Sequence, residues 1–224
     1  MTETMTPPSE IPTGTPGQVP GQVPGQAPTG TSAVESPLVV VAYHSGRGHT
    51  AALAAAARDG AGEAGARAVL VDVLSISDSQ WTLLDEADGV MFGSPTYMGS
   101  ASSAFHAFAE ASSKRWAAQA WRDKAASGFT VAGSMNGDKL HTLQYFSILA
   151  AQHGMHWVNL DIPPGWNSST GSENDLNRLG INLGAGAQAN TDAGDEGVTK
   201  ADLETVRHLG RRVAQVAGLL RARR

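Results

Sequence analysis

Three short segments of this chain hold small, hydroxylic and glycine residues in an order suited to an anion beside a flat polar ring. The first is Ser45-Gly46-Arg47-Gly48-His49-Thr50, between the apolar run Leu38 to Tyr43 and an alanine-rich stretch from Ala51 to Ala57. Backbone N–H groups from Gly46 to Thr50 can converge on a phosphate at a helix N-terminus, with Ser45 and Thr50 adding hydroxyl donors. The segment has neither the lysine of a P-loop nor the glycine spacing of a dinucleotide turn, which disfavours ATP hydrolysis and suits a monophosphate held by neutral donors. An ordinary strand-to-helix turn with a Ser/Thr cap would use the same residues, and this loop alone leaves both readings open.

The second segment is Gly93-Ser94-Pro95-Thr96-Tyr97-Met98-Gly99, in which Pro95 stiffens the chain and Gly99 permits a turn. Thr96, Tyr97 and Met98 can then present amides, one aromatic ring and one thioether to a planar heterocycle. The third, Gly133-Ser134-Met135-Asn136-Gly137-Asp138, is again rich in backbone donors. Each alone also suits a plain surface loop. Together they favour a phosphorylated, planar, polar-edged ligand, a description that flavin mononucleotide (FMN) meets.

The elements that must position these loops follow from apolar runs alternating with segments of helical composition, the pattern of parallel βαβ units. Strands are expected at Leu38–Tyr43, Ala68–Leu74, Gly89–Ser94, Ala126–Ala132 and from His156, with helices at 100–112, 139–153 and 201–220. LVVVAY is apolar on both faces, as a central parallel strand requires. Five strands in this length predict a doubly wound α/β sheet, order 2-1-3-4-5, with helices on both faces and its ligand crevice where the order reverses. Thr199 can cap the last helix, whose arginines read as a solvated face. Residues 161–198, rich in Gly, Asn and Ser, read as a functional or interface loop.

Composition divides the chain of 224 residues in two. Residues 1–36 contain seven of the 11 prolines, no Lys or Arg, and the repeat GQVPGQVPGQAP, which predicts a disordered arm ahead of one domain spanning 37–224. The arm holds Glu3, Glu10 and Glu35, so more than half of the net charge of −5 belongs to it and the body is nearly neutral. No polybasic signature for nucleic acid appears. The absence of cysteine rules out disulfides, thiolate metal sites and a cysteine nucleophile, and fits a cytoplasmic protein without a metal centre. No apolar run approaches the roughly 20 residues of a membrane-spanning helix.

The ordered set SGRGHT, GSPTYMGS, AGSMNGD and QHGM resembles flavodoxin-fold NAD(P)H-dependent FMN reductases, in particular the type IV NAD(P)H:quinone oxidoreductases, or tryptophan-repressor-binding-protein group. The resemblance runs from about Val39 to Val158, with weaker support from GAGAQAN at 184–190 and the last helix. It implies that Ser45, Gly46, Arg47, Gly48, His49 and Thr50 hold the FMN phosphate, and that Pro95, Thr96, Tyr97, Met98 and Gly99 hold the isoalloxazine edge. Ala132, Gly133, Ser134, Met135, Asn136 and Gly137 form the third flavin loop. His153 stands beside the ring system and Trp116 at the nicotinamide and quinone side. The implied activity is transfer of two electrons from NADPH or NADH through flavin to a quinone-like acceptor, with no side chain acting as a covalent nucleophile. Homodimers or homotetramers are common in such enzymes, and the 161–198 loop with Pro163, Pro164 and Trp166 is the expected contact.

The chain departs from the family in having Gln152 before His153 where a second histidine is common, and Arg47 where an aromatic is common. Arg47 suits either the extra phosphate of NADPH or a solvated position. Two alternative functions remain: a flavodoxin-type electron carrier, disfavoured by the near-neutral body, and a flavodoxin-like interaction protein without ligand.

Overall fold

A computed structural model describes residues 35–223; the expected arm up to residue 34 lies outside the described residues. β1 (Leu38–Tyr43) lies between β2 (Arg67–Asp72) and β3 (Gly89–Tyr97), and β5 (Ala125–Ala132) follows β3, all parallel. The fifth position is divided. β6 (His156–Trp157) pairs with Ala125 and Ala126 at the start of β5, and β7 (Ala185–Gln188) pairs with Phe129 to Ala132 at its end. The order β2-β1-β3-β5-β6 is the expected doubly wound sheet.

Two expectations are corrected. The stretch 161–198 is not one loop, since it returns to the sheet as β7. The excursion between β6 and β7 is organised by Asn177, whose Nδ2 donates to the Ile162 carbonyl and whose Oδ1 accepts from the Ile181 N–H. The third strand, expected to end at Ser94, runs on into the second loop. β3 runs to Tyr97 and turns back through Met98 and Gly99 into β4 (Ser100–Ala101), an antiparallel hairpin. Met98 and Gly99 both have positive φ, 49° and 82°, as a tight two-residue hairpin turn of this hand demands.

Helices cover both faces. α1 (His49–Glu63) and α6 (Lys200–Arg221) pack on one side over Val39, Val41 and Met91, with small residues between them. Gly210 permits this approach, because a Cβ there would collide with the Ala57 carbonyl. α2 (Asp78–Glu86), α3 (Ser103–Ala111), α4 (Ser113–Ala117) and α5 (Lys139–Gln152) lie over an aromatic core that includes Trp81, Phe92, Phe105, Phe108, Trp121 and Phe146. Thr199 caps α6 as expected, its hydroxyl accepting from the Asp202 N–H. The α6 arginines are paired rather than simply solvated: Arg207 and Arg211 both reach Glu63 on α1, Arg212 reaches Asp161, and Arg221 reaches Asp88 and Glu35.

Candidate active site

A groove of about 390 Å³ opens at the carboxyl ends of β1, β3 and β5, within the range of about 300–1,000 Å³ usual for small-molecule sites. Gly46, Arg47, His49 and Thr50 line it from the first loop, Pro95, Thr96 and Tyr97 from the second, and Ala132 and Gly133 from the third. The three loops singled out in sequence therefore do converge. Ser45, Gly48, Met98, Gly99, Ser134, Met135, Asn136 and Gly137 belong to the same loops without lining the cavity itself.

The first loop is shaped to leave donors free. A helix start has N–H groups with no intrahelical acceptor, and Ser45 Oγ takes those of Gly48 (3.1 Å) and Ala51 (3.2 Å). The N–H groups of His49 and Thr50, both on the groove wall, have no acceptor among the described residues. Gly48 precedes the helix at φ 93°, a conformation that suits glycine. Gly46 keeps its side clear for the Tyr97 ring, whose hydroxyl would stand 2.5 Å from a Cβ at that position.

The second loop is anchored by a chain of hydroxyls. Thr130 Oγ1 donates to the Ser94 carbonyl at 2.7 Å, so Thr96 Oγ1 donates to Thr130 and accepts from Thr142, each at 2.8 Å. The Thr96 hydroxyl is thus consumed internally, and the hairpin offers its backbone and the Tyr97 ring. Met98 stands fully exposed at its tip.

Sequence reasoning missed a fourth wall. Val131, Ala189 and Thr191 also line the groove, and the segment after β7 is lashed to the first loop. Arg47 donates to the Thr191 carbonyl at 2.7 Å, and His49 Nε2 lies 3.0 Å and 2.7 Å from the Ala193 and Gly194 carbonyls. Both His49 partners are acceptors, so Nε2 carries the proton. GAGAQAN at 184–190 was the available signal, but nothing local showed that it would rejoin the sheet beside β5.

Lys139, fully buried at the first position of α5, was also missed. Its ammonium donates to the carbonyls of Ser134 (2.7 Å), Met135 (2.8 Å) and Asn136 (3.1 Å). Burial pushes its pKa down to about 8, the Asp202 carboxylate opposing this and Arg178 reinforcing it.

Known proteins resemble this chain over most of its length. Residues 80–162 match the family model described as NADPH-dependent FMN reductase. Flavodoxin FldP of Pseudomonas aeruginosa is 43% identical over 186 residues, covering 82% of this chain and 98% of the relative. The chain belongs to the flavodoxin-fold, NAD(P)H-dependent FMN reductase family. Within it, an NAD(P)H dehydrogenase (quinone) of Paracoccus denitrificans is 29% identical over 204 residues, covering 83% of this chain and 96% of its own length. Among solved structures, a flavodoxin, WrbA-like protein from Agrobacterium tumefaciens aligns with a TM-score of 0.63 at 40% identity, over 81% of this chain and 98% of that one.

Two residues implied by the family resemblance lie elsewhere. Trp116 and His153 line a second cavity of about 290 Å³, with Ser112, Leu149 and Gln152, and neither lines the groove. Trp116 is 51% exposed, whereas His153 is 1% exposed and stacks on Trp121 at 4.3 Å between ring centroids. Ser112 Oγ donates to the Ala109 carbonyl and so accepts from His153 Nε2 at 2.9 Å, leaving Nδ1 unprotonated and without a hydrogen-bond partner among the described residues. Burial pushes the His153 pKa down to about 4, so the ring is neutral at physiological pH.

Proposed function

We propose that the protein is an FMN-dependent oxidoreductase that passes two electrons from NADPH or NADH to a quinone-like acceptor. The observation that carries the reading is the groove at the sheet's switch point, walled by all three loops and floored by the N-terminus of α1. The residues fit the cofactor: the free N–H groups of His49 and Thr50, with the helix dipole, suit a phosphate, and Pro95, Thr96, Tyr97, Ala132 and Gly133 suit one edge of a flat ring. Bound FMN would supply the electron-transfer chemistry, accepting from nicotinamide and donating to the acceptor.

The protein's own contribution is positional. Ser45 holds the first loop open for a phosphate, Tyr97 offers an aromatic face, and the backbone of the β3–β4 hairpin would set preorganised dipoles along the edge of a bound flavin ring. The segment 191–194, tied down by Arg47 and His49, closes the groove on its fourth side and limits water. The nicotinamide and acceptor approach the side left open to solvent. A homodimer or homotetramer would bring the half-exposed Trp116 and Trp166 toward a partner copy.

The test is direct. Purified protein is expected to be yellow, or to take up FMN with quenching of flavin fluorescence, and to oxidise NADPH when a quinone is supplied. A colourless preparation that binds no FMN overturns the reading. A second reading, a carrier exchanging electrons with protein partners, is favoured by the name of the 43%-identical relative. Rapid loss of flavin absorption on mixing with NADPH supports the enzyme; very slow loss supports the carrier.

A further inference from the structure

A buried cation at the start of a helix needs an explanation. Lys139 occupies the first position of α5, where the helix dipole opposes positive charge, and it is out of contact with water. Among the described residues its charge is not neutralised by direct pairing: the buried carboxylate nearby, Asp202, makes a bidentate pair with Arg178, at 2.8 Å to each oxygen, and accepts the Gln188 N–H at 3.0 Å. The ammonium is spent instead on three successive carbonyls of the third loop.

That arrangement fixes which way the loop faces. In a planar trans peptide the C=O and N–H bonds point in opposite directions. With the carbonyls of Ser134, Met135 and Asn136 turned onto Lys139, the N–H groups of Met135, Asn136 and Gly137 must turn to the opposite side of the loop, along the rim of the groove that Ala132 and Gly133 line. Gly137 and Asp138, at φ 55° and 53°, then return the chain to α5. A Cβ on Gly137 would come within 2.6 Å of the Ala132 Cβ, so this return is tight.

We infer that Lys139 is a positioning residue for the cofactor, its ammonium holding the third loop in the one orientation that presents a row of backbone N–H donors to the polar edge of the flavin. The inference rests on the FMN reading above. It makes flavin affinity depend on the charge of a side chain that the flavin does not touch.

The charged groups around Lys139 are Arg178 from the segment before β7, Asp202 from α6, and its chain neighbour Asp138. The loop faces it with carbonyls, and β7 faces it with Gly186, whose Cβ position is 3.3 Å from the lysine Cδ. Because burial holds its pKa near 8 against an ordinary 10.5, the unfolded chain binds this proton more readily than the folded one above pH 8. The contribution of Lys139 to apoprotein stability therefore rises between those values, and below them the charged lysine is carried at a cost to the fold. Flavin affinity should move the other way, falling as the ammonium loses its proton and the loop its tether.

The experiment titrates FMN into full-length apoprotein by fluorescence quenching, from about pH 6 to about pH 10, and records the apoprotein melting temperature over the same range. The wild type is expected to lose about tenfold in affinity through pH 8 while its Lys139-linked stability contribution rises. Lys139→Met is expected to bind FMN about tenfold more weakly at pH 7, with that pH step abolished. A wild type that binds FMN with a flat profile overturns the inference and leaves the FMN reading standing; a wild type that binds no FMN overturns the FMN reading. Should Lys139→Met fail to fold, the wild-type profile alone decides.

Discussion

Two cavities of this molecule, the groove at the sheet edge and the one beside Trp116, are built on opposite plans. The groove at the sheet edge is lined by main chain, glycine and small side chains from four segments, and its selectivity comes from where N–H groups point. The cavity around Trp116 and His153 is lined by side chains of helices packed against one another, with one half-exposed ring and one buried, neutral imidazole. A groove of the first kind tolerates substitutions that preserve backbone conformation and fails when that conformation changes. A cavity of the second kind depends on the identity of its side chains.

The sharpest way to break the contrast is Gly48→Val. A β-branched residue at φ 93° introduces strain of about 2–3 kcal/mol, which the first loop would relieve by moving. FMN affinity is expected to fall roughly 30- to 100-fold in a fluorescence titration, with the His153 ring signals unchanged by NMR. Unchanged affinity would show that the loop conformation is not what binds.

Ser45→Ala should have a smaller effect in the same direction. Losing one hydroxyl that takes two N–H groups costs about 1 kcal/mol, which is roughly fivefold in FMN affinity. The released N–H groups then compete with those of His49 and Thr50 for the phosphate. Isothermal titration against wild type would measure this, and an affinity gain would mean that the hydroxyl restrains the loop in a poor geometry.

His153 tests the second cavity through pH. Its folded pKa of about 4 lies below the ordinary 6.5, so the unfolded chain takes up its proton first. The stability it contributes is complete above pH 6.5, declines as the pH falls, and levels off near 4. Melting temperatures recorded over that interval should show this slope in wild type and less of it in His153→Gln. An imidazole that titrates near 6.5 by NMR would contradict the buried, neutral state.

The smallest effect is expected of Trp116→Ala, which should change FMN affinity by no more than about twofold, since the ring is half exposed and off the groove. A loss larger than that of Ser45→Ala would mean that the two cavities act as one site, as they would if a second copy of the chain brought its Trp116 to the groove.

Much of this site was legible because the ligand loops follow strands, and strands announce themselves by composition. LVVVAY and GVMFGS read as buried parallel strands, and the doubly wound order then placed their loops together. Gly99 announced a turn, but the hairpin around it was hidden because a methionine at positive φ carries no turn signature. β7 was hidden because AGAQ is short, small and without alternation, and it becomes a strand only through pairing with Phe129 to Ala132. Lys139 was hidden because a lysine after Asp138 looks like any helix-start surface residue; its burial depends on β7, Arg178 and Asp202 arriving from far along the chain.

By itself, the sequence determined the alternation of strands and helices, the three donor-rich loops and the direction in which they open, because hydrophobic periodicity and turn chemistry are local properties. The tertiary structure decided the fourth wall at 189–194, the separation of Trp116 and His153 from the groove, and the charge that Lys139 holds beneath the third loop. Each of these depends on contacts between segments tens of residues apart, whose meeting is set by packing on the sheet and leaves no mark in the local pattern.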